Sequence, residues 1–270
     1  MRQWRLIYDR PTHGALNMAV DEAILAAVSA GAVPPTLRLY RWIPPCLSLG
    51  YGQRAREIDL SRLQLRGWDM VRRPTGGRAI LHADELTYSL ALPIDHPLAG
   101  QGVIESYRWI SQALLIALRR LGAQPHADRL ESPTNATPGP VCFETPSHYE
   151  ITVEGRKLIG SAQLRRREGL LQHGTLPLGG DITRICDVLA YPDEAARFAA
   201  RAEVRARAVT LADALGRQID WHSAAAALVE GFVEAFAVTF EQSDLTSAER
   251  DQAERLAAEV YGTPDWTFRR

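Results

Sequence analysis

Cys142 and Lys157 stand fifteen residues apart in VCFETPSHYEITVEGRKLIGSAQ, and together they are equipped for acyl transfer through a thioester. The reason is charge. A thiol with a pKa of ~8.5 is mostly protonated at neutral pH, and a neighbouring ammonium favours the nucleophilic thiolate. The same ammonium can donate to a carbonyl oxygen as negative charge develops on it. Lys157 is the only lysine among 31 Lys and Arg residues. Arginine offers a rigid fork of donors, whereas lysine carries a compact amine that responds to its surroundings, so a single retained lysine is a candidate for chemistry. A compositional accident would leave the same trace, and the sequence alone leaves both readings open. Cys142 follows the Pro/Gly-rich PTNATPGPV, and loops held by a rigid scaffold are where reactive groups are presented. Cys186 at helical spacing in ITRICDVL and Cys46 at the head of the apolar CLSLGY read instead as packing.

Two further stretches hold candidate ligand contacts. In VRRPTGGRAILH, Gly76 and Gly77 permit a tight turn and close backbone approach, with Arg72, Arg73, Arg78 and His82 around them. The stretch is neither a GxxxxGK[ST] loop nor a GxGxxG fingerprint. A plain hairpin turn with exposed arginines is the competing reading. GSAQLRRREGLLQHGTLPL adds the small residues Gly160, Ser161, Ala162 and Gly174, together with His173. Its arginine run, 165–167, reads equally well as a solvated strand edge.

The elements that must hold these residues follow from periodicity. Strands are expected at 4–9, 36–42, 46–51, 68–73, 78–82 and 85–93, the pair at 68–73 and 78–82 flanking the turn PTGG. Amphipathic helices are expected at 15–31, closed by Gly31, at 57–67, closed by Gly67, and at 103–122. An exposed loop is expected over 126–140. A meander follows, with strands at 148–154, 157–167 and 169–178 joined by turns containing EGR and EG. From 181 onward the pattern is helical, most clearly at 221–240 and 247–262. The fold class is therefore α+β, one domain over 1–270 with a mostly helical section from about 205 to 270.

Composition narrows the function. A formal net charge of -1 gives no global attraction to nucleic acid or an anionic membrane. No apolar run reaches the length of a membrane span, and no signal-peptide core opens the chain. The three cysteines form no CxxC pair, which argues against structural zinc or a disulfide framework. A reduced cytoplasmic compartment is the expectation, with no metal and no cofactor.

RRPTGGRAILHADELTYSLAL, VCFETPSHYEITVEGRKLIGSAQ and LLQHGTL together resemble the lipoate–protein ligase and octanoyltransferase superfamily. The cysteine of CFETPS, just ahead of EGRKLIGSAQ, is most similar to the LipM-type octanoyltransferases. The resemblance runs nearly end to end. It implies a mixed β-sheet flanked by helices, a fold shared with biotin ligases. It also implies octanoyl transfer from acyl carrier protein to a lysine of a lipoyl domain, typically the glycine cleavage H protein. A monomer is the expectation, although the sequence does not fix the oligomeric state. By the same resemblance Cys142 is the nucleophile and Lys157 the strand lysine. Arg72, Arg73, Gly76, Gly77, Arg78, His82, Gly160, Ser161, Ala162, His173 and Gly174 would contact substrate. Burying an eight-carbon chain at ~0.8 kcal/mol per methylene would contribute roughly 5 kcal/mol.

The acceptor lysine, with a pKa of ~10.4, is neutral in only about one molecule in a few thousand at pH 7. His173, His82 and the departing Cys142 thiolate are all candidates for taking its proton. Acidic carrier and lipoyl proteins would favour a basic face built from Arg72, Arg73, Arg78 and 165–167. Three other readings stay open. An ATP-dependent lipoate ligase would make Cys142 incidental, an amidotransferase between lipoyl domains would use a cysteine elsewhere on the fold, and an adaptor would only dock lipoyl domains.

Overall fold

A computed structural model of the chain describes residues 2–100, 102–128 and 150–270. Strands β1 (Arg2–Tyr8) and β2 (Thr36–Tyr40) are linked by helix α1 (Gly14–Ser29). The His13 side chain accepts from the Leu16 N–H at the start of α1. Gly31, at φ +70°, ends it in a Schellman turn, with Gly31 N–H bonded to Val28 O and Ala32 N–H to Ala27 O, both at 3.0 Å.

Next come β3 (Cys46–Leu49), α2 (Leu60–Leu65), β4 (Asp69–Arg72), β5 (Ile80–His82) and β6 (Glu85–Pro93). They lead into α3 (Pro97–Gly100), α4 (Val103–Arg120) and β7 (His126–Asp128). The meander is β8 (Glu150–Val153), β9 (Arg156–Arg165) and β10 (Gly169–Pro177). Glu154 and Gly155, at φ +52° and +74°, form the two-residue turn between β8 and β9. The remaining elements are α5 (Glu194–Arg207), α6 (Leu211–Leu215), α7 (Trp221–Phe236), β11 (Val238–Gln242), α8 (Ser247–Leu256) and α9 (Pro264–Thr267).

Among the described residues the strands form an eight-stranded mixed sheet, β11-β1-β2-β6-β10-β9-β8-β7, and a three-stranded sheet, β4-β3-β5. The β11-β1-β2 edge is parallel and the remaining pairs of the large sheet are antiparallel. One face of the large sheet packs on α4 and α7 through Leu90, Leu114, Leu118, Leu228 and Phe232. The other packs on α1 through Met18, Ile24, Leu25 and Leu171. A third apolar cluster, with Leu47, Leu49, Ile185, Cys186 and Val204, supports the small sheet.

Three expectations are corrected. The strands flanking PTGG do not pair with each other, because β3 lies between them, parallel to β4 and antiparallel to β5. PTGG is therefore a connection that passes β3 rather than a hairpin turn. The helix expected over 221–240 ends at Phe236, where Ala237 takes a left-handed conformation, and Val238–Gln242 adds an edge strand beside β1. The helical pattern at 181–190 is a 3₁₀ turn over Ile182–Asp187. Residues 129–149, which hold most of the expected loop and Cys142, lie outside the described residues.

Candidate active site

Where the small sheet faces the α1 side of the large one, a narrow cavity of about 20 Å³ remains, room for about one water molecule. Of the expected contacts, Arg73, His82, Gly160, Ala162, His173 and Gly174 line it, joined by Met18, Tyr40, Trp42 and Ser48. The register explains the grouping: Gly160 pairs with Thr175, and Ala162 and Ser89 flank His173 across β10.

At the inner end, four donors converge on the buried Asp21 carboxylate. Arg38 Nη1 and Ser89 Oγ reach Oδ1 at 2.8 and 2.7 Å, and Tyr40 Oη and His173 Nδ1 reach Oδ2 at 2.9 and 3.3 Å. Burial alone would push the Asp21 pKa up, but Arg38, His173 and Ser89 together outweigh it and hold it below the ordinary value. Burial, opposed by Asp21, pushes His173 down. The neutral imidazole then donates from Nδ1 to Asp21, while Nε2 accepts from Thr75 Oγ1 at 2.7 Å. Both ring nitrogens are engaged by the protein, and the ring lies at the inner end of the cavity, so His173 is a poor candidate for meeting a substrate amine.

At the outer end, His82 Nε2 lies 2.8 Å from Ser48 Oγ and Nδ1 lies 2.9 Å from Glu85 Oε1. Thr87 Oγ1 donates to the same carboxylate and accepts from Trp42 Nε1 at 2.8 Å. The His82 ring stacks on Trp42 with centroids 4.0 Å apart and planes inclined by 14°. Its tautomer and orientation are therefore set from three sides.

The two neighbouring arginines diverge, as strand alternation requires. Arg73 turns toward the cavity, where Nη1 donates to Ser48 O and Oγ and Nη2 to Gly76 O and Arg78 O. It fixes the glycine connection from inside. Arg72 points the other way. Fully buried, it donates to Gly50 O, Tyr51 O, Gln53 O and Thr267 O, and tethers the segment after α8 to the loop after β3. Burial, then Arg269 and Arg270, push its pKa down. Arg78 pairs with Glu57 at 2.7 Å. The arginine run at the end of β9 is also engaged, with Arg165 on Ser106 Oγ and Gly102 O and Arg166 on Glu22. The expected basic face is corrected accordingly, because Arg72 and Arg73 are buried braces. The glycines matter through contact: a Cβ on Gly50 would sit 1.9 Å from Gly77 O.

Lys157 is buried on β9, three residues before Gly160, and its Nζ lies 2.8 Å from Glu150 Oε1. Glu150 comes from β8 across the tight turn. Ser161 turns to the opposite face of the sheet, where its Oγ meets Tyr88 Oη at 2.8 Å and Tyr88 also receives Gln172 Nε2. Burial pushes the Tyr88 pKa up to about 12. A Cβ on Gly174 would collide with this group, 2.6 Å from both Ser161 Oγ and Tyr88 Cε1. Cys46 and Cys186 are both fully buried, and burial with nearby Asp69 and Glu85 pushes the Cys46 thiol well up. Cys46 is therefore not poised as a thiolate. Among the described residues, no cluster of three or more His, Cys, Asp or Glu could hold a metal ion, and no helix is long and apolar enough to cross a membrane.

Residues 13–233 match the lipoyl protein ligase A/B catalytic domain. Octanoyltransferase LipM of Kyrpidia tusciae is 44% identical over 279 aligned positions, and LipM of Brevibacillus brevis 41% over 276, with all of every chain covered. The chain belongs to this family. It is an acyltransferase of the LipM octanoyltransferase type. Among solved structures, a chain from an archaeal lipoylation system, a bi-partite lipoate protein ligase and its E2 lipoyl domain from Thermoplasma acidophilum, is similar with a TM-score of 0.83. It is 25% identical, with 99% of this chain and 97% of that one covered. Lipoate-protein ligase A bound with ATP is similar with a TM-score of 0.82 at 26% identity, with 99% of each covered. These likenesses bear out the α+β reading and the mixed sheet flanked by helices.

Sequence reasoning missed Asp21, Trp42, Ser48, Thr75, Glu85 and Glu150. Asp21 left a signal, as an acid on the apolar face of α1 between Met18 and Leu25. So did Glu150, which comes within reach of Lys157 once the EG turn folds β8 onto β9.

Proposed function

We propose that this octanoyltransferase takes octanoyl from acyl carrier protein onto Cys142 as a thioester and passes it to a lysine of a lipoyl domain of the glycine cleavage H protein type. The observation that carries this reading is Lys157, a buried ammonium on the strand whose following residues, Gly160 and Ala162, wall the cavity. The Cys142 thiolate attacks the octanoyl carbonyl, a new C–S bond forms as the donor's C–S bond breaks, and the donor thiol leaves with the proton that Cys142 gave up. Lys157 stabilises the thiolate and the developing oxyanion. The acceptor amine then attacks the enzyme thioester, and its surplus proton passes through His82 to the departing Cys142. His82 serves better than His173 because it sits at the outer end of the cavity, where an arriving amine can reach it, whereas His173 lies at the inner end.

Arg73, Gly76 and Gly77 shape the wall, while His173 and Gly174 close the inner end. Arg72 and Arg78 act on the loop rather than on substrate. At about 20 Å³ the cavity admits an acyl chain only as lining side chains draw back, and the flexible Met18 is the one best suited to do so. We place the enzyme in the cytoplasm as a monomer.

The test mixes enzyme, octanoyl-carrier protein and an unmodified lipoyl domain without ATP and follows the acceptor's mass. Octanoylation that disappears in Cys142→Ala supports the reading. Modification only with free acid and ATP, undiminished in Cys142→Ala, replaces it with ligase activity.

A further inference from the structure

Beyond the wall formed by His82 and Trp42 lies a second, open pocket of about 500 Å³, lined in part by Arg41, Asp84, Gln218 and Trp221. Its size is that of a small-molecule site. Since His82 and Trp42 line both this pocket and the inner cavity, a ligand threaded past them would occupy both.

The chemistry of the outer pocket is specific. Trp221 lines the pocket with its indole ring, whose Nε1 is itself buried away from the opening. Arg41 is exposed, its guanidinium 5.1 Å from the centre of the Trp221 ring. The acids present are already engaged: Asp84 pairs with Arg184 at 2.6 Å, and Glu85 accepts from His82 and Thr87. The remaining charge at the rim is positive. The floor is stiff, because Asp84 holds a left-handed φ of +51° while its carbonyl accepts from Leu178 N–H at 2.9 Å and Gly179 N–H at 3.3 Å.

We propose that this pocket receives the phosphopantetheine arm of the acyl donor, an inference that rests on the acyl-transfer reading above. Such an arm is a linear diamide with a thioester at one end and a phosphate at the other. With its acyl chain in the inner cavity, the thioester lies against His82 and the arm runs outward. The branched methyl groups lie on the indole rings of Trp42 and Trp221, Gln218 pairs with an amide of the arm, and Arg41 meets the phosphate. The pocket would then distinguish a carrier-borne acyl group from a simple thioester.

Three octanoyl donors test this: octanoyl-phosphopantetheine, its dephosphorylated form, and the short octanoyl-N-acetylcysteamine. Trp221→Ala should lower kcat/KM for the two long donors by about tenfold, the worth of the apolar packing its ring gives the arm, and for the short donor by less than about twofold. Arg41→Ala should erase the advantage of the phosphorylated donor over the dephosphorylated one. Gln218→Ala, at an exposed position, should repeat the preference for loss with long donors without disturbing packing. Equal losses across all three donors, or none, overturn the assignment while leaving acyl transfer intact. A wild-type enzyme that takes octanoyl from intact carrier protein but from none of the three overturns the assignment, and one that takes it from neither overturns the acyl-transfer reading itself. ATP binding that disappears in the same variants would assign the pocket to a nucleotide and also overturn the proposal.

Discussion

Replacing Asp21 by Asn should destabilise the protein by about 3 kcal/mol, the lower end of the range for breaking a buried ion pair. The figure follows from what each donor keeps. Arg38, fully buried, loses its closest charge partner but retains Asp9, which lies 2.8 Å from Nη2 and is partly exposed. Ser89 and one Arg38 nitrogen still find an acceptor in the amide oxygen. Tyr40 and His173 would face the amide NH₂ instead, which forces His173 to accept at Nδ1 and move its proton to Nε2, against Thr75.

With a urea m-value of about 3 kcal/mol/M for a chain of this size, the midpoint should fall by about 1 M at pH 7. The deficit should also depend on pH. The folded pKa of Asp21 lies below its ordinary value of 3.8, so the charge contributes stability above that value and loses it as pH falls through the folded pKa. Wild type and variant should therefore draw together only as pH falls below 3.8 and through the lower folded pKa of Asp21. Nitrogen-15 shifts of the imidazole report the tautomer. A midpoint shift under about 0.3 M at pH 7, with the His173 proton still on Nδ1, would refute the reasoning, because the buried charge would then be dispensable.

Other consequences can be checked with equally direct assays. His173 has a folded pKa below its ordinary 6.5, so it contributes stability above pH 6.5 that is lost as pH falls through the folded value. His173→Gln should remove that step from a stability–pH profile and leave the carboxylate step, which lies below pH 3.8, in place. Gly174→Ala should cost roughly 1–3 kcal/mol by overpacking against Ser161 and Tyr88, seen as a lower thermal midpoint. Lys157→Arg should keep the fold, judged by circular dichroism, yet lose most acyl transfer, since a guanidinium cannot take the place of a compact ammonium. Full activity in that variant would return the lone lysine to compositional accident.

Much of the scaffold was legible because burial and periodicity coincide. The meander reads directly from alternation and from the EG turn, and α1 and α4 from their apolar faces. What stayed hidden depends on partners distant in the chain. PTGG looked like a hairpin because nothing in VRRPTGGRAILH announces that β3, some twenty residues earlier, lies between its flanking strands. β11 was absorbed into the preceding helix because VEAFAVTF stays apolar across the left-handed Ala237.

The candidate site divides along the same line. Arg73, His82, Gly160, Ala162, His173 and Gly174 do meet at one cavity. Strand alternation already forbids Arg72 and Arg73 from sharing a face, a constraint the motif obscured. The carboxylates that orient the site, Asp21, Glu85 and Glu150, carry no motif of their own. Each is recognisable only once a packed neighbour supplies the cation or imidazole it answers to.

The most direct test of the account is the intact mass of the enzyme after mixing with octanoyl-carrier protein in the absence of ATP. The account predicts a single octanoyl adduct on Cys142 that hydroxylamine removes, that vanishes in Cys142→Ala, and that an unmodified lipoyl domain discharges. An enzyme of unchanged mass that still octanoylates the lipoyl domain would contradict it, because transfer would then proceed without a covalent intermediate.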